Sequence, residues 1–533
     1  IRPSRVKGDA DRKVPAMRSP LYLLLVLALV IAAAACDTGE GVDVGDAGPG
    51  ETPGADGGDG EAAGGTLIAA ISGEPDQLDP HATSAYPSFQ VLENVYDTLV
   101  QPNEDLEFEP ALATDWEVSD DQLTWTFNLR EDVTFHDGSE FTADDVVFSY
   151  NRIIDDEMAN AYRFTSVEEV RAVDDYTVEI EVNRPTPNMP ANIGAFKGMA
   201  IVPEEFDDDM ASNPVGTGPF TFESYDQGQS ISLARNDDYW GDPPALDGVE
   251  FRFISEGTVA LTNLQGGQVH WTDNIPPQQV EQLGGDDSVN LEQVPSTDYW
   301  YFAANINEEP YDDERVRQAL AYAVDREAIT QAAHFDAATV NQTAIPEGST
   351  FHTDHAPYEH DPDRARQLLE EAGVENLELE IMVTDEFPET IQAAQVMESN
   401  FGEAGITATI NTLDFATWLE RQGEGDFDVF MLGWLGNLDP DDYYYAQHRT
   451  DAGFNFHGYS NERVDELLDA AREETDTDAR KEMYDEAVQL IVDEASYIYL
   501  YNPDVVQAWR PEVEGYTPRS DRAIRFENVS LTQ

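Results

Sequence analysis

Hydrophobic and polar positions change their period several times along this chain. Leu21–Ala35 is an unbroken apolar run, shorter than the ~20 residues of a membrane span. Residues 37–65 carry almost nothing that can be buried. After Gly65 the pattern becomes that of a folded protein. Leu67-Ile68-Ala69-Ala70-Ile71 predicts a short strand, followed by a turn at Gly73-Glu74-Pro75-Asp76. Leu123, Trp125, Phe127 and Leu129 alternate with polar neighbours, as a half-buried strand requires. Val178, Ile180 and Val182 repeat that pattern, and so do Val249, Phe251 and Phe253. Between the first two, Thr142-Ala143-Asp144-Asp145 caps a helix carrying Val146, Val147, Tyr150 and Ile154.

The second half reads as helices alternating with strands. Asp312 opens a helix with Val316, Leu320, Ala323 and Val324 on one face. Asp361-Pro362 starts another and Gly373 ends it, an N-cap, a proline in the first turn and a terminal glycine. A strand (Leu377, Leu379, Ile381, Val383), a helix from about 389 to 404, a strand from Ile406 and a short helix around Trp418 follow. The continuous apolar run Phe427–Leu432 suits a strand covered on both faces, and helical connections of a dozen residues imply parallel pairing. Two amphipathic helices come next, one capped by Ser460, and a strand-like Tyr497–Tyr501 comes last. The fold class is therefore α/β with two lobes, their texture changing near residues 299–307. A late strand that crosses back would complete a hinge, and a cleft between hinged lobes encloses a small ligand.

Charge narrows the picture. The 533 residues hold 29 Lys+Arg against 107 Asp+Glu, a net charge of −78. Acids spread along the whole chain suit a protein that stays soluble in concentrated salt, where the Debye length falls to about 3 Å at 1 M. No basic face exists to neutralise phosphates, so nucleic acid is excluded as a partner. At the amino end, Arg2, Arg5, Lys7, Arg12, Lys13 and Arg18 precede the apolar run, which ends at Ala33-Ala34-Ala35-Cys36. That order is that of an export signal over residues 1–36, with Met17 an alternative start. Cys36 is the sole cysteine, which rules out disulfides and cysteine-rich metal sites. Residues 37–65 then read as a flexible acidic tether.

The segment Leu129-Arg130-Glu131-Asp132-Val133-Thr134-Phe135-His136-Asp137-Gly138, with Thr142 to Ser149 after it, resembles the signature of the family-5 extracellular solute-binding proteins. Asn213 to Phe220 (NPVGTGPF), Asn236-Asp237-Asp238-Tyr239-Trp240, Val316 to Leu320 with Ala323 to Arg326, and Gly433-Trp434 with Asp439-Pro440-Asp441 match too, in the family's order. Cys36 after three alanines resembles a lipobox, although Ala33 stands where leucine is favoured. The resemblance implies a type II, periplasmic-binding-protein-like fold of the large peptide-binder class. Lobe one would comprise 66–105, 191–303 and 498–533, with an extra subdomain at 106–190, and lobe two would be 304–497. It further implies a lipid-anchored, monomeric protein on the outer face of the cell membrane, delivering di- or oligopeptides to an ABC permease and its ATPase.

A buried peptide needs its end charges paired. In peptide-binding relatives an aspartate three residues after the tryptophan of the Gly-Trp motif takes the ligand's amine. Here that position is Asn437, which leaves Asp439 or a ligand without a free amine there. Gly433 and Trp434 would form an apolar wall, Tyr299 and Trp300 would line the hinge strand, and Glu74 and Tyr86 the loop after the first strand. His352, His355 and His360 are weak candidates for a metal. No cofactor is expected, and no nucleophile with a base beside it suggests an enzyme. Alternatives are an oligosaccharide or nickel-chelate binder of the same fold, or a surface receptor or chaperone without a transporter. The charge makes a first prediction. Thermal unfolding between dilute and multimolar KCl will show the melting temperature rising with salt; a flat or falling curve removes the high-salt reading.

Overall fold

The computed structural model describes residues 64–195, 197–205, 209–385, 387–434 and 438–532; the apolar run, Cys36 and nearly all of the tether lie outside them. Among the described residues no helix is long and apolar enough to cross a membrane. Thr66–Ile71 is a central strand because its apolar side chains are buried on both faces. It pairs in parallel with Gly248–Phe253, which is followed outward by the antiparallel strands Ser230–Arg235 and Phe220–Asp226. This is one wing of a sheet of twelve strands.

The other wing holds the parallel strands expected from helical connections. Thr407–Leu413, Glu378–Thr384 and Val429–Trp434 run parallel, joined by the helices Pro388–Glu403 and Phe415–Glu424. Tyr299–Ala304 follows antiparallel, with all six side chains buried. Ile498–Trp509 joins the wings. Its first half pairs with Tyr299–Ala304 and Ala338–Val340, its second with Asn290–Pro295 and Trp271–Thr272. Each wing has its own core. One is packed from residues between Tyr299 and Tyr501, another from Leu67 to Trp271 together with Trp509 to Val529. Two lobes are thus built on one continuous sheet. A third core lies between the helix Ala143–Asp155 and an antiparallel sheet of Ala113–Val118, Thr124–Leu129, Thr177–Val182 and Val167–Asp174.

Two caps move by one residue from the sequence reading. Asp313, not Asp312, accepts from Arg315 N at the head of Glu314–Ala323, and Asn461, not Ser460, accepts from Arg463 N and Val464 N. In both pairs the neighbours are each good caps, and periodicity fixes a helix start only to within a residue or two. Asp361, Pro362 and Gly373 bound their helix as expected, Gly373 closing it at φ 75°. The strand beginning near Tyr497 runs on to Trp509, since its second half is buried in the other wing.

The segments that carry the family resemblance meet at buried junctions. Asp97 Oδ2 accepts from Thr217 Oγ1 and Trp240 Nε1, both at 2.9 Å. His136 N donates to Gly216 O at 2.9 Å, Asn236 Nδ2 donates to Gly218 O at 3.0 Å, and the Arg130 guanidinium covers the Trp240 ring at 4.3 Å. A Cβ on Gly216 would collide with the Val95 carbonyl, so only glycine fits there. In lobe two, buried Arg317 donates to the carbonyls of Tyr311 and Glu494, and buried Arg326 to those of Tyr499 and Tyr358. These motifs hold the fold together.

Where Ile498–Trp509 changes lobes, Asn502 Nδ2 donates to Asp298 O at 2.7 Å and Ala344 O at 2.9 Å, while its Oδ1 accepts from Asn341 Nδ2 at 2.8 Å. Replacing a buried, fully bonded amide leaves its partners without a match, at about 1–3 kcal/mol. Asn502→Ala will therefore lower the guanidinium unfolding midpoint by that amount. Asn307→Ala, outside this network, serves as control; equal loss in both would show that Asn502 does not pin the crossing.

Candidate functional site

Two cavities lie where the lobes face each other. The first, of about 130 Å³, is walled by Tyr86, Asp273 and Arg522 from lobe one, Asp504 and Gln507 from the shared strand, and His334 from lobe two. Tyr86 opens the helix Tyr86–Leu92, whose Gln90 donates to Asp273 Oδ2 at 2.5 Å. Asp273 Oδ1 is buried and accepts no well-formed hydrogen bond among the described residues, and the same holds for Asp504 Oδ1. Burial pushes the Asp273 carboxyl up to about 6 against the opposing pull of Arg522, and burial also raises Asp504. Arg522 cannot neutralise both. Its guanidinium stacks over Tyr86 at 4.8 Å and donates to the fully buried Asp298 at 2.8 Å. His334 shares a hydrogen bond with Tyr501 (3.2 Å) and is lowered to about 4 by burial and by Arg522, so it stays neutral at neutral pH. The first cavity is thus short of positive charge.

The second cavity, of about 180 Å³, lies between the antiparallel subdomain and lobe two. Arg163 and Arg184 face it from one side, and Trp434, Asp441, Asp442, Phe454 and Arg472 from the other. Trp434, at the end of Val429–Trp434, meets Phe454 edge to face at 5.0 Å. Arg163 donates to Asp442 at 3.2 Å and so spans the lobes, while Arg472 pairs with Asp441 at 2.9 Å and covers the Tyr445 ring at 3.8 Å. Burial lifts the Asp441 carboxyl to about 7 against the pull of Arg472.

The residues singled out in the sequence are distributed as follows. Trp434 and Tyr86 line the cavities, each a different one. Gly433 lies under the Trp300 indole, which a Cβ would approach to 2.8 Å, and Trp300 packs edge to face on Phe387 at 5.7 Å. Tyr299 is turned into lobe two, where its hydroxyl donates to Gln447 at 2.6 Å and its ring stacks on Tyr443. Glu74 accepts from Tyr225 Oη and Gly228 N, holding a hairpin, and lines neither cavity. Asn437 lies outside the described residues.

Asp439 corrects an expectation. Each of its oxygens takes one Arg480 N–H at 2.7 Å, and Oδ1 also caps the helix Pro440–His448 at Asp441 N, 2.9 Å away. A carboxylate committed in this way is not offered to a ligand amine. The three histidines do not converge either. His352 Nδ1 contacts Ile345 O at 2.8 Å, His355 pairs with Asp493 at 2.7 Å, and His360 lies 3.7 Å from Asp325. Among the described residues no group of three or more His, Cys, Asp or Glu could hold a metal ion.

Asp273, Asp504, Arg522, His334, Arg163, Arg184 and Arg472 were missed by sequence reading. One signal was available: in so acid-rich a chain an arginine flanked by apolar residues is unusual, and Arg163, between Tyr162 and Phe164, sits in such a setting.

Two lobes on a shared sheet, with charged cavities between them, are the architecture of a solute-binding protein. The family profile for "Bacterial extracellular solute-binding proteins, family 5 Middle" matches residues 107–456. The "Dipeptide-binding protein" of Escherichia coli (strain K12) is 30% identical over 508 residues, covering 87% of this chain and 94% of the relative. The Helicobacter pylori periplasmic binding protein DppA in complex with peptide STSA superimposes with a TM-score of 0.77 at 27% identity, covering 89% of this chain and 99% of its own. The dipeptide binding protein from Pseudoalteromonas sp. SM9913 with Met-Leu gives a TM-score of 0.75 at 26% identity, covering 88% and 100%. The chain belongs to the family-5 bacterial extracellular solute-binding proteins.

The Asp439–Arg480 pair makes a testable claim. Removing one partner of a buried ion pair leaves the other charge unmatched, at about 3–5 kcal/mol. Asp439→Ala will lower the unfolding midpoint accordingly, while ligand affinity of the folded fraction stays within a few-fold of wild type. Loss of affinity with unchanged stability would return Asp439 to the ligand site.

Proposed function

We propose that this chain is the substrate-binding component of an ABC importer, anchored through Cys36 on the outer face of the membrane and enclosing a short peptide between its lobes. Lobe two spans 304–497, and the remaining folded residues, with the 106–190 subdomain, form lobe one. The observation that carries the peptide reading is the Tyr86 cavity. Two half-buried carboxylates there, Asp273 and Asp504, each keep a buried oxygen that accepts no well-formed hydrogen bond among the described residues, in a space that both lobes line. A ligand ammonium supplies the missing donors and charge, and a charge-assisted bond of that kind is among the stronger ones available. The relatives add support, since one is named for dipeptides and two structures hold peptides.

The pH dependence follows from Asp273. Its carboxyl ordinarily titrates near 3.8 and is raised to about 6, so the folded protein favours the neutral acid and loses stability as pH rises through about 6. An ammonium ligand needs the ionised form and offsets that loss. Calorimetry with dialanine and trialanine will show affinity weakening by up to about tenfold per pH unit below 6 and levelling above 7. N-acetylated peptides will bind far more weakly, and Asp273→Asn will flatten the profile. Equal binding of acetylated and free peptides would sink the assignment of the amine to this cavity.

A further inference from the structure

Arg184 is the one cation of the second cavity whose guanidinium makes no hydrogen bond or ion pair among the described residues, and it is half-buried. Its neighbours are committed elsewhere. Arg163 holds Asp442, and Arg472 holds Asp441. The carboxylates nearest in charge to Arg184, Asp441 and Glu473, do not bond to it, and Arg472 adds a second positive charge beside it. Burial and that repulsion lower its pKa, the mark of a cation lacking a counter-ion. The same cavity presents the amides of Asn188 and Asn192, and its rim carries exposed aromatic rings, Tyr162 at 55% and Phe454 at 40%.

We infer that the cavity between Arg184 and Trp434 is a carboxylate subsite, in which Arg184 pairs with an anionic end or side chain of the bound solute while Trp434 and Phe454 flank its apolar part. The inference rests on the reading of the cleft as a ligand site and deepens it, because an amine-seeking cavity and a carboxylate-seeking cavity together select a zwitterion. A guanidinium matches a carboxylate in a two-pronged geometry, and in a partly desolvated site that pairing separates acids from amides. The two cavities are linked through the interlobe segment. Arg522 of the first bonds Asp298, and the neighbouring Thr297 carbonyl accepts from Tyr443, which adjoins Asp442 of the second.

The test uses the full chain in concentrated KCl and compares wild type, Arg184→Gln and the charge-conserving Arg184→Lys. The probes are trialanine, trialanine amide, Ala-Glu-Ala amide, Ala-Gln-Ala amide and free glutarate. Arg184→Gln should weaken binding of carboxylate-bearing probes at least about tenfold and leave the amides that lack a carboxylate unchanged, with Arg184→Lys partly restoring the loss. Trialanine against its amide reports a terminal carboxylate, and Ala-Glu-Ala amide against Ala-Gln-Ala amide a side-chain one. If peptides bind and Arg184→Gln changes nothing, the subsite is wrong and the peptide reading survives. If no peptide binds but glutarate raises the melting temperature of wild type and not of Arg184→Gln, the peptide reading fails and the subsite stands. Binding of neither peptide nor glutarate overturns both.

Discussion

The strand Ile498–Trp509 belongs to both lobes, and the rest of the molecule is arranged around that fact. Its backbone groups pair with Tyr299–Ala304 on one side of the crossing and with Asn290–Pro295 on the other. Those bonds cannot be given up without stranding buried donors and acceptors, so the lobes cannot part; they can only bend where the ladder changes partners. The bend is short, residues 295–299 against 502–504. It is fastened by the Asn502 amide and by a fully buried Asp298 whose charge Arg522 neutralises. Because Arg522 also stacks on Tyr86 and opposes the raised pKa of Asp273, the fastening of the hinge and the charge of the first cavity are one electrostatic system. Closure of the lobes and the state of that cavity are therefore coupled through shared residues.

Most of this architecture was legible in the chain. Period-two alternation at 123–129 and 178–182 placed the subdomain strands, and the Asp-Pro and Gly signals placed the helix 362–372. Parallel pairing followed from connection length. These succeed because burial imposes a period, and a period survives in one dimension. The site was less legible for the opposite reason. Arg163, Arg184, Trp434 and Arg472 come from four separate segments, and no periodicity relates them. The sequence motifs around His136, Gly216 and Arg317, which carry the family resemblance, bind backbone carbonyls and pack against the main chain. Motif strength tracks the strictness of the local fold, which is why Tyr299 and Glu74 read as cleft residues and are instead engaged in packing and in a hairpin. Asp439 read as a spare carboxylate because its partner, Arg480, is distant in sequence and close only in space.

The charge distribution gives the two cavities different physical characters. A net charge of −78 surrounds the cleft with a negative field, which draws the cationic end of a solute toward Asp273 and Asp504 and repels an anionic end until it is desolvated. Salt at molar concentration screens the long-range part of that field within a few ångströms, on the order of 3 Å, and leaves contacts inside the cleft largely intact. The cations that matter for an anionic group are consequently the few that are held inside. Arg163 and Arg472 are already paired with Asp442 and Asp441, the first pair across the two walls of the cleft and the second within one wall. With Arg163, Arg184 and Arg472 set against Asp441 and Asp442, the lining of the second cavity holds more cations than carboxylates. Opposite local polarity at two points of one cleft, in so acid-rich a protein, favours solutes that carry both signs and are long enough to reach both points.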